Sequence, residues 1–291
     1  MSQSQVSFDA PKTRALGASL FISVLILYLA TLSRVFFPGD SARLVAEHLG
    51  VATFPAMTRS LWGWCVSALA LVSGSKSALV LNAFSALCGA GSVWLMFALM
   101  LRLRFERQRD DTAPRTSCTG AQIVSAVVAA MALATCLPVW IVATRAHPLS
   151  FDLLLSLLAF YLLVRFDETK RPALLNASVL LYGLALTEFP SLFPLVLFYG
   201  PLLLMVLLRS GGLRAMVLLR LAALMLLGLA PYFIAAGLYM REPAYEWRAF
   251  EGYFQVLWYI WLEQYLTLSR SLPQVGWLTV GMMSVVPCSF V

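Results

Sequence analysis

The stretch ALGASLFISVLILYLATLSRVFF, residues 15–37, is almost continuously apolar and carries one charged residue, Arg34. A helix that crosses a hydrocarbon core of ~30 Å needs ~20 such residues, so the stretch predicts a membrane-spanning helix. Pro38 and Gly39 follow it, and this dipeptide favours a turn. The sequence therefore predicts a helix that crosses the membrane and a chain that turns at the membrane surface.

Apolar runs of this kind recur along the 291 residues, of which 60% are hydrophobic and 12% charged. This composition lies outside the usual range of soluble domains. The runs are continuous and do not alternate with a period of two, which favours helices over a β-barrel. The predicted fold class is an all-α polytopic membrane protein.

The predicted organisation is a tail, residues 1–14, followed by one transmembrane domain over residues 15–291. The loop 38–76 is predicted to hold interfacial helices, and the aromatic loop 241–272 includes an amphipathic part. The last apolar run has no polar exit, which suggests a fragment or an early stop at Val291. The predicted transmembrane helices cover residues 15–37, 77–103, 121–143, 151–166, 173–187, 190–208, 215–240 and part of an eighth at 273–291.

Lysine and arginine predict the orientation, because short cytoplasmic loops are enriched in them. If every full-length helix crosses once, the basic residues of the tail and of three later loops fall on one side. That side is predicted to be the cytoplasm. The other side receives Asp40, the His147 link and the Glu188 corner. The basic residues concerned are Lys12, Arg14, Arg102, Arg104, Arg107, Arg109, Arg115, Arg165, Lys170, Arg171, Arg209 and Arg214.

Charge and cysteine content exclude other classes. The net charge of +7 is spread between apolar runs and forms no basic and aromatic face, so nucleic acid is not a predicted partner. The five cysteines show no CxxC spacing, and most lie in apolar runs. Neither a disulfide framework nor a cysteine metal site is predicted.

The segment PGDSARLVAEHLG, residues 38–50, places Asp40 between a turn and a short amphipathic helix over residues 42–49. As an N-cap, Asp40 would accept a backbone N–H, and Gly50 suits the residue after the helix. A carboxylate beside an apolar surface is also suited to bind an acceptor hydroxyl or to act as a base. Both interpretations of Asp40 remain open at this point.

The second long apolar run contains Asn82, Ser85 and Gly89 at helical spacing. Small residues let two helices approach closely in a membrane, and a polar side chain can form a hydrogen bond between them. The three residues are therefore predicted to serve the packing of this helix against its neighbours.

The order of several motifs resembles a family of bacterial membrane proteins that are similar to protein O-mannosyltransferases and are assigned to the GT-C glycosyltransferase superfamily. The resemblance covers roughly residues 38–205. It continues through VWIVATRAHPLSFDLLLSLLAFYLLVRF and LLYGLALTEFPSLFPLVLFYGPLLLM, residues 139–166 and 180–205. The motif residues near the N-terminus are Gly39, Asp40, Ser41, Phe54, Pro55, Asn82, Ser85, Ala86, Gly89 and Ala90.

The resemblance implies a GT-C-like helix bundle in a bacterial inner membrane. It would transfer a sugar from a polyprenyl-phosphate donor to an acceptor on the extracytoplasmic face. The aspartate of the first extracytoplasmic loop, Asp40 in this sequence, is the expected catalytic residue. The implied partners are the lipid-linked sugar, membrane lipids and an acceptor that is a protein, a glycan or a lipid. No cofactor is predicted, and a divalent metal requirement is left open.

Five further residues are predicted to contact substrate. Arg43 suits a donor phosphate as a planar fork, and His48 could shuttle a proton. Arg145 and His147 share the predicted side of Asp40 and suit phosphate or acceptor contacts, whereas Glu188 is an acid at a helix end in an apolar region. Each of the first four has a structural alternative: a solvated helix face for Arg43, an interfacial site for His48, and caps of a tight link for Arg145 and His147.

The chain departs from the family pattern at four motif positions. Arg43 stands where the family has a second acid, and Phe54 where it has histidine. Phe189 also replaces histidine, in an Asn-His-Pro-like corner that begins with Glu188 in this chain, and His147 replaces an acid. A catalytically inactive scaffold of the same fold is therefore one alternative function. A transporter or lipid flippase is the other.

Overall fold

A computed structural model describes residues 6–7, 11–36, 40–51, 60–102, 117–118, 120–188, 195–241 and 252–271. The all-α fold class is confirmed, because these described residues form helices apart from one short pairing of strands. In that pairing β1 (Val6–Ser7) lies antiparallel to β2 (Ser117–Cys118). The predicted segment 273–291 lies outside the described residues, and so do Phe54 and Phe189.

The helices of the described residues are numbered in chain order. They are α1 (Pro11–Ala30), α2 (Asp40–His48), α3 (Ser60–Ser73), α4 (Ser77–Met100), α5 (Gly120–Thr135), α6 (Leu137–Ala143), α7 (Pro148–Thr169), α8 (Pro172–Glu188), α9 (Val196–Arg209), α10 (Ala215–Gly228), α11 (Ala230–Tyr239) and α12 (Tyr253–Ser271). A turn of 3-10 helix, Gly74–Lys76, joins α3 to α4. The chain forms two compact units, one of residues 1–42 and 69–174 and one of residues 43–68 and 175–291.

Four helical segments among the described residues are long and apolar enough to cross a membrane. The pair α5 and α6 would make a fifth if it counts as one bent span, and α8 and α9 are shorter apolar helices. The protein is therefore an integral membrane protein. The four segments are Pro11–Ala30, Leu61–Met100, Pro148–Thr169 and Ala215–Tyr239.

Helix α4 is the centre of the first unit, where it packs against α1, α5, α6 and α7. Small residues line its buried face and allow close approach. At Gly89 a Cβ atom would lie 2.7 Å from the Cβ of Ala143, which is too close for any side chain. The glycine thus brings α4 into contact with α6.

The predicted single helix over residues 121–143 is wrong, since α5 and α6 meet at an angle of 64°. Pro138 lies in the first turn of α6, and proline has no backbone N–H to donate to the carbonyl four residues earlier. That carbonyl belongs to Ala134, and it accepts a hydrogen bond of 2.9 Å from the hydroxyl of Tyr28 on α1. The hydroxyl of Tyr28 on α1 thus donates to the carbonyl that has no backbone donor at the bend between α5 and α6.

Helix α1 ends at Ala30, earlier than the predicted residue 37. The backbone N–H of Ser33 instead donates to the carbonyl of Thr144 at 3.1 Å. The carbonyls of Ser33 and Val35 accept hydrogen bonds from Asn82 of α4. Tertiary hydrogen bonds therefore take the backbone groups that a longer helix would have used, although the sequence there is apolar.

Helix α2 begins at Asp40, so this residue lies in the first turn and not before the helix as predicted. Gly50 has a φ of +69°, and the N–H of Val51 donates to the carbonyl of Ala46 at 3.0 Å. This is the left-handed glycine ending that the sequence predicts. The short helix is therefore defined at both ends.

In the second unit α8 packs closely against the segment that contains α10. A Cβ atom on Gly183 would lie 2.7 Å from the backbone oxygen of Met225.

The predicted helix over residues 215–240 is divided at Leu229 into α10 and α11, with Pro231 in the first turn of α11. The hydroxyl of Tyr232 on α11 donates to the carbonyl of Leu186 at 2.9 Å. These contacts fix the end of α8.

Candidate functional site

Residues 144–147, called the α6–α7 corner below, are held to α4 by side chains one turn apart. The Oδ1 of Asn82 accepts a hydrogen bond of 2.6 Å from the N–H of Ala146. The hydroxyl of Ser85 accepts one of 3.2 Å from the N–H of His147. Both α4 side chains are buried, so their amide and hydroxyl groups satisfy backbone that would otherwise lack partners in an apolar interior. Asn82 and Ser85 thus have the packing role that the sequence predicts.

The start of α2 lies at the same corner. The buried hydroxyl of Ser41 donates to the carbonyl of Ala146 at 2.7 Å. Asp40 is the residue before Ser41, so its backbone lies next to this contact, whereas its side chain is outside the described part of the chain. The first unit therefore brings together the start of α2 and the corner that carries Arg145 and His147, three positions that the sequence predicts on one side of the membrane.

His147 caps α7. Its backbone is extended, with φ −142° and ψ 133°, and its Nδ1 accepts a hydrogen bond of 3.2 Å from the N–H of Leu149. Pro148 occupies the first turn of the helix, a pattern of polar residue and proline that marks a helix start. When the ring is neutral its proton is on Nε2, which makes that nitrogen a hydrogen-bond donor. The neutral ring that caps α7 therefore carries its N–H on Nε2.

Glu188 has a different position in the second unit. The residue is fully buried, and its two carboxylate oxygens each accept one backbone hydrogen bond from the start of α3. Oε1 accepts from the N–H of Leu61 at 2.8 Å, and Oε2 from the N–H of Trp62 at 2.9 Å. The first N–H groups of a helix have no partner within it, and a negative charge is favourable there. Glu188, at the end of α8, therefore caps the start of α3, which is far away in the sequence.

His48 packs against the same part of α3. Its ring meets the ring of Trp62 edge to face, with centroids 5.1 Å apart and planes at 89°. Its Nδ1 lies 2.8 Å from the carbonyl oxygen of Leu44, and its own carbonyl accepts a hydrogen bond of 3.2 Å from Ser67. The ring is half-buried in this environment. The contacts make His48 part of the packing between α2 and α3.

Arg43 lies on the exposed face of α2. Its guanidinium forms an ion pair of 3.0 Å with Glu47 one turn later, and 63% of its side chain is exposed. Exposed pairs of this kind add little stability. The solvated helix face proposed for Arg43 from the sequence is present in the structure.

Asp152 is buried in the first half of α7, in the same unit as the α6–α7 corner. Within the described residues, no group of three histidine, cysteine, aspartate or glutamate side chains is arranged to hold a metal ion. The capping role of Glu188 was missed because its partners lie 126 and 127 positions away in the sequence.

Residues 46–214, more than half of the chain, match the family model described as "Protein O-mannosyl-transferase TMEM260 N-terminal domain". Together with the fold, this match defines an integral membrane protein of the mannosyltransferase type of glycosyltransferases. The chain belongs to this family. The resemblance to protein O-mannosyltransferases predicted from the motifs is thereby confirmed. No curated protein and no solved structure matches the chain.

The matched residues contain some of the candidate positions and not others. His48, Arg145, His147 and Glu188 lie within residues 46–214, whereas Asp40 lies before them. Arg43 also precedes the matched residues. The family match therefore supports the helical scaffold around the α6–α7 corner, and the role of Asp40 depends on its place at the start of α2.

Proposed function

We propose that the protein transfers a sugar from a polyprenyl-phosphate donor to an acceptor on the extracytoplasmic side of the membrane, on a GT-C-like helical scaffold. The match to the O-mannosyl-transferase family over residues 46–214 is the observation that carries this proposal. The position of α2 at the α6–α7 corner supports it, because a carboxylate, a guanidinium and an imidazole occur on the segments that meet there. Mannose is the sugar that the family favours.

The proposed reaction is a displacement at the anomeric carbon. The acceptor hydroxyl attacks this carbon, the bond between it and the phosphate oxygen breaks, and the bonding electron pair leaves with the lipid phosphate. Asp40 takes the proton of the acceptor hydroxyl, which makes its oxygen a better nucleophile. The sugar is thus joined to the acceptor, and polyprenyl phosphate is released.

The phosphate requires positive charge and hydrogen-bond donors as it leaves. Arg145 and His147 of the α6–α7 corner supply them in the proposal, the first as a guanidinium and the second through Nε2–H. Arg43 is not assigned to the phosphate, because it lies on the exposed face of α2, where it pairs with Glu47. The two corner residues are therefore assigned to the donor phosphate and Asp40 to the acceptor.

The proposed orientation follows the distribution of lysine and arginine. The N-terminus is placed in the cytoplasm of a bacterial cell, and α2 and the α6–α7 corner face the other side. A protein, a glycan or a lipid is the acceptor, and membrane lipids surround the helices. The proposed steps use no organic cofactor, and assays with and without a divalent cation decide whether a metal is required.

The test uses the full chain in membranes that are supplied with radiolabelled polyprenyl-phosphate mannose. We expect label to move from the lipid donor into membrane or secreted acceptors, with release of polyprenyl phosphate. Asp40→Asn removes the base while it preserves side-chain size, and we expect it to reduce transfer by about a hundredfold or more. Separation of the protein, glycan and lipid fractions identifies the acceptor class.

Asp167→Asn is the matched control, because Asp167 lies at the other end of α7 and pairs with Lys170. It should transfer sugar at the wild-type rate. Full transfer by Asp40→Asn contradicts the role of Asp40. A folded wild-type chain without any transfer contradicts the proposed function and favours a non-catalytic scaffold, whereas movement of the donor across the vesicle without release of sugar favours a flippase.

A further inference from the structure

We propose that Glu188 is a positioning residue for the transferase site. In this proposal its cap on α3 fixes His48, and His48 fixes the helix α2 that begins at Asp40. The inference rests on the proposed function for its effect on sugar transfer, but the contacts that carry it lie entirely among described residues. It replaces the substrate-binding role that the sequence predicts for Glu188.

The cap leaves little of Glu188 for a substrate. Both carboxylate oxygens accept a backbone hydrogen bond, from Leu61 and Trp62, and the residue has no exposed surface. The two N–H groups belong to the first turn of α3 and have no acceptor within that helix. The carboxylate therefore determines where α3 begins.

The end of α8, which carries Glu188, is itself held by contacts with α11 and α12. The hydroxyl of Tyr232 on α11 donates to the carbonyl of Leu186, two residues before Glu188, at 2.9 Å. The same hydroxyl contacts the side chain of Gln264 on α12. Because α8 ends at Glu188, these contacts fix the helix end that presents the carboxylate. The position of the α3 start is thus tied to α8, α11 and α12.

The capped turn of α3 forms the seat for His48. Trp62, whose N–H is capped by Glu188, meets the imidazole edge to face. The next residue, Gly63, has no side chain, and a Cβ atom there would lie only 2.0 Å from the Cδ2 of His48. One turn further on, Ser67 donates to the carbonyl of His48. Three positions of α3 therefore determine where the end of α2 lies.

Because α2 is one continuous helix, the position of His48 at its end also determines the position of the residues at its start. The helix has nine residues, from Asp40 to His48, and rises by about 1.5 Å per residue. Leu44 and Val45 are buried between the two ends, so the helix is packed along its length. A displacement of His48 therefore moves the backbone of Asp40. An error of about 1 Å in a reacting group can reduce a rate by about a hundredfold.

The first measurement is independent of sugar transfer and uses the fact that the chain contains two histidines. Isotope-labelled histidine gives two ring signals by NMR, one from His48 in the second unit and one from His147 in the first. Glu188→Gln keeps the shape of the side chain but replaces an acceptor oxygen with an NH₂ group. We expect the His48 signal to move or broaden, and the His147 signal to change less, because His147 lies at the corner where α2 begins and not at the capped turn.

The second measurement is the rate of transfer per folded molecule. We expect Glu188→Gln to reduce kcat by about ten- to a hundredfold, with the KM for the lipid donor unchanged, since the carboxylate does not contact the donor. Gly63→Ala should have the same effect by pushing His48 away while the Glu188 cap remains. This second variant decides the proposal if Glu188→Gln does not fold.

Glu168→Gln is the matched control. Glu168 is also a helix-end glutamate of low exposure, and it pairs with Arg102 at 3.3 Å in the first unit. Its loss should lower stability without moving the His48 signal or kcat. Wild-type His48 signals and kcat in folded Glu188→Gln and Gly63→Ala would overturn the proposal. A wild-type chain that transfers no sugar contradicts the proposed function, and the His48 signal of the variants then still decides the contact.

Discussion

The α6–α7 corner and the start of α3 are both held by polar contacts that join residues far apart in the sequence, but the chemistry differs. At the corner, three neutral groups form hydrogen bonds to the backbone: the amide of Asn82 and the hydroxyls of Ser85 and Ser41. At α3 one carboxylate, Glu188, binds two backbone N–H groups. When one of several neutral groups is lost, the others still hold the corner. When the single carboxylate is lost, both N–H groups of α3 lose their acceptor.

The largest expected effect follows from Glu188→Ala. The variant leaves the N–H groups of Leu61 and Trp62 without their acceptor, and each such group costs about 1–3 kcal/mol when it is buried. We expect the free energy of unfolding in detergent to fall by about 2–5 kcal/mol. A loss below about 1 kcal/mol would show that water or other groups replace the carboxylate.

A smaller effect is expected for Asn82→Ala at the corner. The amide serves the backbone of Ser33 and Ala146, but Ser85 and Ser41 continue to hold the corner. We expect a loss of about 1–2 kcal/mol in the free energy of unfolding, below the loss for Glu188→Ala. Asn176→Ala is the matched control for Asn82→Ala, since the Oδ1 of Asn176 accepts no hydrogen bond from the described residues.

Asn176→Ala should therefore leave the free energy of unfolding nearly unchanged. Equal losses for Asn82→Ala and Glu188→Ala would contradict the contrast between distributed neutral groups and a single carboxylate.

Among these polar contacts, the ion pair of Arg43 and Glu47 is expected to contribute least to stability. The Arg43 side chain is largely exposed, and its ion pair with Glu47 is worth about 0.5 kcal/mol or less. A double-mutant cycle of Arg43→Ala and Glu47→Ala in chemical unfolding should therefore give a small coupling energy. A coupling energy above about 1 kcal/mol would contradict this expectation.

The helices were predictable from the sequence because apolar runs of sufficient length have few alternatives in a membrane protein. The ending of α2 was also predictable, since Gly50 provides the left-handed residue. The bend between α5 and α6 had a visible signal in Pro138, which the apolar run around it obscured. The early end of α1 had no local signal, because its cause is the pairing of Ser33 with Thr144 and Asn82.

The candidate site was predictable in its members more than in its contacts. A histidine before a proline predicts a helix start, and His147 is such a cap. An acid in an apolar region predicted that Glu188 is important. Its partner could not be found from the sequence, because the start of α3 is remote and a backbone N–H leaves no mark on residue type. The chemistry assigned to Asp40 stays a prediction.

The hydrogen bond from Tyr28 to the carbonyl of Ala134 has a consequence for biogenesis. A backbone carbonyl without a donor is costly in hydrocarbon, and Pro138 cannot provide one. During synthesis α1 leaves the ribosome before α5 and α6, so the hydroxyl of Tyr28 is already in the membrane when the bend arrives. The chain inserted first thus carries the donor that the later chain requires.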